Sequence, residues 1–258
     1  MKTLTLVVPC HNESLRIDKR AFVRAVEKWP WISFCFVDDG STDMTAETLA
    51  HMTNISPAFH AIYLPDNKGK AEAVRAGIRY LCQNTGPDFI GFWDADLAAP
   101  LDEVPGFMRH FEEFPGTEAV IGSRWPHLGS DITRTHGRGL ASFIAKSIIR
   151  LALGANVWDT QCGAKIFSRK AADDLFRQPF KTRWLFDVEL LSRLGGRIGS
   201  SVREHPLASW SDIPGSKVGF ATLRELVSLP FLIRANLVEY RKKAIDAHSD
   251  HRRRPQDG

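Results

Sequence analysis

The run Phe89-Ile90-Gly91-Phe92-Trp93 ends abruptly in Asp94-Ala95-Asp96, and that junction constrains the chain more than any other. An uncharged apolar run of this length suits a strand buried on both faces. In open α/β sheets, ligands collect beyond the carboxyl ends of such strands. Two carboxylates one residue apart at that place are hard oxygen donors of the kind Mg²⁺ and Mn²⁺ take, with substrate phosphate oxygens completing the shell. The expected ligand is therefore a nucleotide diphosphate. A solvated turn whose acids cap the next segment would also carry an Asp-x-Asp, so the decision between the two rests on the neighbouring loops.

The segments before this strand alternate in type. Thr3 to Pro9 reads as a buried strand, Lys19 to Lys28 as a helix and Trp31 to Val37 as a second strand. Asp43 or Thr42 then suits the cap of a helix through Ala46 to Met52, followed by a strand at Ala61 to Leu64 and a helix at Lys70 to Cys82. Strand and helix in alternation imply a mostly parallel sheet with helices on both faces. After about residue 100 the pattern loosens: a helix at Leu101 to Phe114, a strand at Ala119 to Gly122 and a longer helix at Leu140 to Leu153. In the last, Ile144, Ile148, Leu151 and Leu153 form a stripe opposite Lys146 and Arg150, a pattern shared by core-packed and membrane-surface helices.

A chain of 258 residues with 43% hydrophobic residues can bury a large single core, which excludes disorder throughout. The formal charge of +4 is modest, and Arg241, Lys242, Lys243, Arg252, Arg253 and Arg254 gather positive charge in the tail. Nucleic-acid binding would need a basic face interleaved with aromatics, which the rest of the chain does not show. Cysteines at 10, 35, 82 and 162 have neither metal-ligand spacing nor the density of a disulfide framework, which points to a reducing compartment. No leader is legible before Leu4, and the apolar stretch Leu226 to Val238 is broken by Pro230, Arg234 and Asn236. The expected location is the cytoplasm, with peripheral contact at the inner face of a membrane.

Further loops at strand ends bring polar groups of different kinds. Pro9-Cys10-His11-Asn12-Glu13-Ser14 places an amide and a carboxylate where they can meet a base edge, although Asn12 or Ser14 equally suits a helix cap. Asp38-Asp39-Gly40-Ser41-Thr42-Asp43 offers carboxylates to a base or ribose, or a plain Asx turn. Asn67-Lys68-Gly69-Lys70 joins two ammonium groups to a helix N-terminus, favouring a phosphate-bearing ligand. Arg124, after Gly122-Ser123, suits a pyrophosphate; alone it would read as a surface ion pair. Their convergence on strand ends in one continuous half of the chain favours a single site.

Taken together, Pro9 with Asn12-Glu13, the Val37 to Asp43 run, Asn67-Lys68-Gly69-Lys70 and Asp94-Ala95-Asp96 resemble the signature set of family 2 glycosyltransferases, over residues 3 to 124. Asp159-Thr160-Gln161-Cys162-Gly163-Ala164-Lys165-Ile166-Phe167, Phe186-Asp187-Val188-Glu189-Leu190-Leu191, Trp210 and Pro214-Gly215-Ser216-Lys217 resemble the dolichyl-phosphate β-glucosyltransferase branch, extending the likeness to about residue 240. The resemblance implies a GT-A, Rossmann-like α/β fold with C-terminal amphipathic helices. It implies one domain over residues 1–240, a nucleotide-sugar-binding half at 1–124 and an acceptor half at 125–240, before a basic disordered tail at 241–258. The implied reaction moves a sugar, usually glucose from UDP-glucose, to a polyprenyl phosphate with inversion.

By that resemblance Pro9, Asn12, Glu13 and Asp38 contact the base, Asp94 the ribose region or metal, and Asp96 the Mg²⁺ or Mn²⁺. Arg124, with Arg134 or Arg138, meets phosphates, and Gln161 with Lys165 lines the acceptor side. A phosphate acceptor is largely an anion at neutral pH, so Asp187 and Glu189 need not act as a strong base. Asp187 then orients Lys165 or a sugar hydroxyl, or caps the helix after Phe186. The relatives often carry Thr or Gln after the Asp-x-Asp where this chain has Ala98-Ala99, which leaves a third metal ligand open. Eukaryotic members carry an N-terminal anchor with no counterpart here, so the helices at 140–153 and 222–240 and the tail are expected to meet the lipid. The rival readings are a glycosyltransferase with a soluble sugar acceptor, which would need Asp187 or Glu189 as base, and a catalytically silent nucleotide-sugar-binding module.

Overall fold

The computed structural model describes residues 2–84, 86–133, 157–183, 185–211 and 234. The expected helices at 140–153 and 222–240, Arg134, Arg138, the Pro214 to Lys217 motif and the tail fall outside the described residues.

Among the described residues a seven-stranded sheet forms the centre, flanked by helices on both faces. Its strands are β1 (Leu4–Cys10), β2 (Ile32–Asp39), β3 (Phe59–Leu64), β4 (Phe89–Trp93), β5 (Ala119–Ser123), β7 (Ala164–Ser168) and β8 (Val202–Pro206). Their order is β3-β2-β1-β4-β7-β5-β8. β1, β2, β3 and β4 run parallel, β7 lies antiparallel between β4 and β5, and β8 is parallel to β5. Two short strands, β6 (Asp131–Thr133) and β9 (Ser209–Ser211), pair in parallel beside it. The helices are α1 (Lys19–Lys28), α2 (Thr45–Ile55), α3 (Lys70–Asn84), α4 (Val104–Glu113), α5 (Arg169–Leu175), α6 (Phe186–Ser192) and α7 (Ile198–Ser201).

Alternate residues of each strand enter different cores, which is why the strands read as continuous apolar runs. Leu4, Leu6 and Val8 of β1 join Phe34 and Phe36 of β2 and Trp93 of β4 under α1, α2 and α4. Val7, Cys35, Val37, Ile90 and Phe92 face α3, α5 and α6 on the other side. Phe22 of α1 meets Phe34 and Phe36 edge-on at 5.0 and 5.1 Å, fixing that helix on the sheet. Asp18 accepts the Ala21 N–H at 3.1 Å and caps it.

The expected strand at Phe89 to Trp93 and helix at Lys19 to Lys28 are observed with those bounds, and the other expected elements up to β5 that fall on described residues shift by a few residues at their ends. The stretch expected as one helix from Leu101 to Phe114 is a 3-10 turn at Leu101–Glu103 leading into α4. β7 contains Lys165 as its second residue, so no uninterrupted apolar run announces it. Its register places Lys165 opposite Phe92 of β4 and Ile121 of β5, at the centre of the sheet.

Candidate active site

β4 is the fourth of the seven strands, so Asp94 and Asp96 project from the middle of the carboxyl edge. The turn that carries them is held on three sides. The Trp93 indole N–H donates to the Ala99 carbonyl at 2.7 Å, folding the loop back on its strand. Leu97 takes the left-handed conformation at φ 52°, uncommon for a residue with a Cβ, and its N–H reaches the Asp94 carbonyl at 3.2 Å. The Asp94 N–H donates to the Gly163 carbonyl at 3.0 Å. A Cβ at Gly163 would collide with the Asp94 carboxylate, so only glycine permits this approach.

Lys70, at the start of α3, places its ammonium 2.5 Å from Asp94 Oδ1. Burial works against its charge, but Asp94, Asp187 and Asp96 prevail and raise its pKa, so it stays an ammonium. Asp96 accepts the Ala98 N–H at 3.1 Å, and Arg16 approaches its other oxygen at 4.0 Å. Burial, followed by the charge of Asp94, raises the Asp96 pKa. Burial likewise raises that of Glu13, with Arg16 pulling it down and Asp96, Asp43 and Asp94 pushing it up. Glu13 Oε2 is buried and has no hydrogen-bond partner among the described residues. Negative charge is therefore concentrated where the β1 and β4 loops meet.

The loops after β1 and β2 are laced together. Asn12, at φ 56°, accepts the Thr42 N–H at 2.8 Å and donates its own N–H to the Ser41 hydroxyl at 3.0 Å. The Glu13 N–H reaches Thr45 Oγ1 at 2.8 Å, and the Ser14 hydroxyl donates to Asp43 at 2.6 Å. Asp43 also accepts the Thr45 N–H at 3.0 Å just ahead of α2, whose N-cap is Met44 rather than the expected Asp43 or Thr42; despite desolvation, these hydrogen bonds lower its pKa to about 2. Pro9 lies within β1 opposite Val37, and Asp38 closes its turn on Ser41. Asp39, 3% exposed, is turned inward: its carboxylate accepts the Lys68 and Gly69 N–H groups at 2.7 and 2.8 Å. It thereby fixes the Asn67 to Lys70 turn and uses two of the amides expected to face a phosphate.

On the other side of β4 the expectations need revision. Arg124 grips Asp159 through Nε at 2.6 Å, Nη2 at 2.7 Å and its own backbone N–H at 3.0 Å. Burial opposes its charge, but Asp159 raises its pKa, and its guanidinium lies 5.2 Å from the Trp210 ring. The surface ion pair considered for it is in fact a largely buried fork. Asp159 is itself fixed, because Glu204 accepts the N–H groups of Trp158 and Asp159. Lys165, expected to line the acceptor side, is fully buried, with its ammonium on the Cys162 carbonyl at 2.5 Å and Asp187 at 2.6 Å. It stands behind the Cys162-Gly163 segment rather than in contact with solvent.

Asp187 is not the helix cap; it lies in the first turn of α6, and burial raises its pKa while Lys165 and Lys70 pull against that. Glu189 is occupied on both oxygens, by Lys181, Thr182 and Arg193. Gln161 Nε2 is buried and has no hydrogen-bond partner among the described residues. The buried fork partner Asp159, the glycine at 163, and Arg16 and Arg183 beside the two acidic and basic loops escaped the sequence reading. Asp159 and Gly163 lay within a quoted motif without a role, and Arg16 follows Glu13 on the same loop. Arg183 has no local signal.

The family model for Glycosyl transferase family 2 matches residues 5–176. The chain belongs to this family. It is a glycosyltransferase, similar to a dolichyl-phosphate beta-glucosyltransferase of Trichomonas vaginalis at 32% identity, covering 95% of this chain and 76% of that protein. The dolichyl-phosphate beta-glucosyltransferases of Saccharomyces cerevisiae and Homo sapiens are each 28% identical, covering 84% of this chain and 70% of theirs. Among solved structures, glucosyl-3-phosphoglycerate synthase from Mycobacterium tuberculosis, crystallised with Mn²⁺ and UDP-glucose, superposes with a TM-score of 0.64 at 19% identity, over 93% of this chain and 79% of that one. Another crystal of that synthase holds Mg²⁺ and UDP. The likeness bears out the GT-A, mostly parallel fold.

Proposed function

We propose that this glycosyltransferase moves glucose from UDP-glucose to the phosphate of a polyprenyl or dolichyl lipid, with inversion and with a divalent cation bound. The state of its carboxylates carries the reading. A sugar hydroxyl must lose a proton to attack, whereas a phosphate monoester, with a second pKa near 6, is already largely an anion at neutral pH. Asp187 is held by Lys165 and Glu189 by the backbone of residues 181–182 and Arg193, so neither is free to serve as base. An acceptor that needs no base suits this site, and the dolichyl-phosphate relatives support the same acceptor.

Asp94 and Asp96 fit Mg²⁺ or Mn²⁺: they are hard oxygen donors, and the raised pKa of Asp96 and orphaned Glu13 oxygen mark a surplus of negative charge beside them. Among the described residues no group of three or more His, Cys, Asp or Glu side chains is disposed to hold an ion, so substrate oxygens would complete the coordination. When bound, the cation would neutralise the departing nucleoside diphosphate. Lys70 adds a positive charge beside the same carboxylates, while Pro9, Asn12, Glu13 and Asp38 border the base pocket. Gln161 offers its amide to the acceptor. The new bond joins the sugar's anomeric carbon to the lipid phosphate oxygen, as the bond to UDP breaks and its electron pair leaves with UDP.

Peripheral membrane contact belongs to this proposal, as does the single domain over residues 1–240, whose sheet draws strands from both halves. Among the described residues no helix is long and apolar enough to cross a membrane. Trp125 and Trp158 pack at 4.7 Å and remain half-exposed, and Leu128, three residues after Trp125, is fully exposed. Between Ile132 and Trp158 the sequence carries Arg134, Arg138, Lys146 and Arg150 and no acidic residue. Amphipathic aromatic rings and a basic stretch of sequence suit an anionic lipid interface.

The test is UDP release from UDP-glucose with Mn²⁺, comparing a short polyprenyl phosphate, plain sugars and no acceptor. Turnover only with the lipid phosphate, abolished by Asp96→Ala, is expected. Equal turnover with plain sugars would overturn the acceptor, and no release from any nucleotide sugar would overturn the donor.

A further inference from the structure

The segment Lys181 to Arg183, ahead of α6, is fixed from beneath by a buried ion pair. Glu189, 1% exposed, accepts the Lys181 N–H at 2.9 Å and the Thr182 N–H and hydroxyl at 3.2 Å each. Its other oxygen receives Arg193 at 3.1 Å. Arg193 donates further to the carbonyls of Leu175, Gln178 and Pro179 at 2.6 to 2.8 Å and lies 4.2 Å from the Phe180 ring. A buried pair is tolerable only when its remaining donors and lone pairs are satisfied. Here the loop's own backbone satisfies them, so the pair dictates the conformation of residues 175–183.

That conformation presents Arg183 to the donor side. Its guanidinium lies against Gly69, where a Cβ would stand 2.9 Å from Nε and 3.1 Å from Nη2, and Nη2 donates to Asn67 Oδ1 at 3.3 Å. Gly69 has φ +91°, so the turn it occupies already favours glycine. Asp39 clamps that turn through the Lys68 and Gly69 amides, and the next residue, Lys70, reaches Asp94. Two independent braces, one from β2 and one from α6, thus converge on Gly69, with an ammonium and a guanidinium at the same turn.

We propose that Arg183 is a phosphate-binding residue of this enzyme, gripping an oxyanion of a bound substrate beside Lys70. The inference rests on the nucleotide-sugar reading above. Lys70 is partly neutralised by Asp94, and a planar guanidinium can engage two phosphate oxygens where an ammonium acts as a point charge. The oxyanion belongs either to the donor's diphosphate or to the acceptor's phosphate, and both share this chemistry. Because α6 also carries Asp187, the segment that fixes Arg183 is continuous with the brace behind the Gly163 loop.

The experiment uses the full chain with Arg183→Ala and Arg183→Lys. Calorimetry measures UDP with Mn²⁺ against uridine, and steady-state assays measure KM for a short polyprenyl phosphate. A donor contact predicts UDP binding weakened about tenfold by Arg183→Ala, uridine unchanged and partial recovery in Arg183→Lys. An acceptor contact predicts unchanged UDP binding and a comparable rise in the lipid phosphate KM. Parallel loss of UDP and uridine binding would show a turn that is merely distorted, and no change in any of the three would leave Arg183 without a phosphate; either overturns the proposal. Failure of the unsubstituted protein to bind UDP would instead sink the nucleotide reading, and this inference with it.

Discussion

Two lysine–aspartate pairs stand in this molecule at almost the same separation, Lys70 with Asp94 at 2.5 Å and Lys165 with Asp187 at 2.6 Å. The first pair is about one-third exposed at the carboxyl edge of the sheet, and the second is sealed inside it. An ion pair near water is inexpensive to open and can exchange a partner for a ligand. A sealed pair holds its neighbours, because neither charge can be released without leaving the other uncompensated. The chemistry of the residues is the same; the dielectric around them divides the work.

Breaking the sealed pair tests this most severely. Lys165→Ala is expected to cost about 3–5 kcal/mol in urea unfolding, because Asp187 is left buried alone. Joint replacement by Lys165→Met and Asp187→Leu should recover most of that stability but not turnover, since the Cys162 carbonyl loses its donor. A cost below about 1 kcal/mol for the single change would erase the contrast.

The open pair should behave in the reverse way. Lys70→Ala should cost less than about 1 kcal/mol of stability while lowering kcat/KM by roughly a hundredfold or more. Equal damage to stability and turnover would place Lys70 in the same class as Lys165.

The gentlest perturbation is pH, read on a third charged cluster. Glu103 accepts His205 at 3.1 Å and the Ala208 N–H at 2.8 Å. Desolvation raises its pKa, but these bonds, with Ser209 and the charge of His205, hold it below the ordinary value of 4.5. His110 is lowered from 6.5 by burial, with His205, Arg203 and Arg109 adding to the effect and Glu113 opposing it. Both groups bind fewer protons folded than unfolded, so their contributions are present above the unfolded pKa and fade as pH falls through the folded one. Thermal melts should show a small loss of Tm beginning below about pH 6.5 and a further loss below about 4.5. His110→Phe should remove the upper step, and a melt that stays flat down to pH 5 would count against the assignment.

The β1 to β4 half of the sheet and its loops are largely legible in the sequence because their signals are local: an apolar run, its terminal acids, and turns rich in Gly, Asn and Asp. β4 and α1 emerge with the expected bounds for that reason. The other side depends on partners far apart in the chain. β7 enters the sheet with a buried lysine near its start, and that charge becomes intelligible only once α6 brings Asp187 to it. Arg124 reads as a phosphate ligand until Asp159 folds against it, and Arg183 gains meaning only where it crosses Gly69. Spacing alone does not reveal such pairings. Asp39 shows the limit on the legible side: its residue type suits a ligand, while its orientation serves the turn.

The glycine at 163 has a consequence for modular exchange. β7, the strand that follows it, links β4 to β5 and β8 in the sheet, and a backbone hydrogen bond joins the Gly163 carbonyl to the Asp94 N–H. A chimera that imports the segment from β7 onward must therefore bring a glycine to this seam and keep its carbonyl in register with β4. If it does not, both grafted halves can fold while the carboxylate they share is displaced.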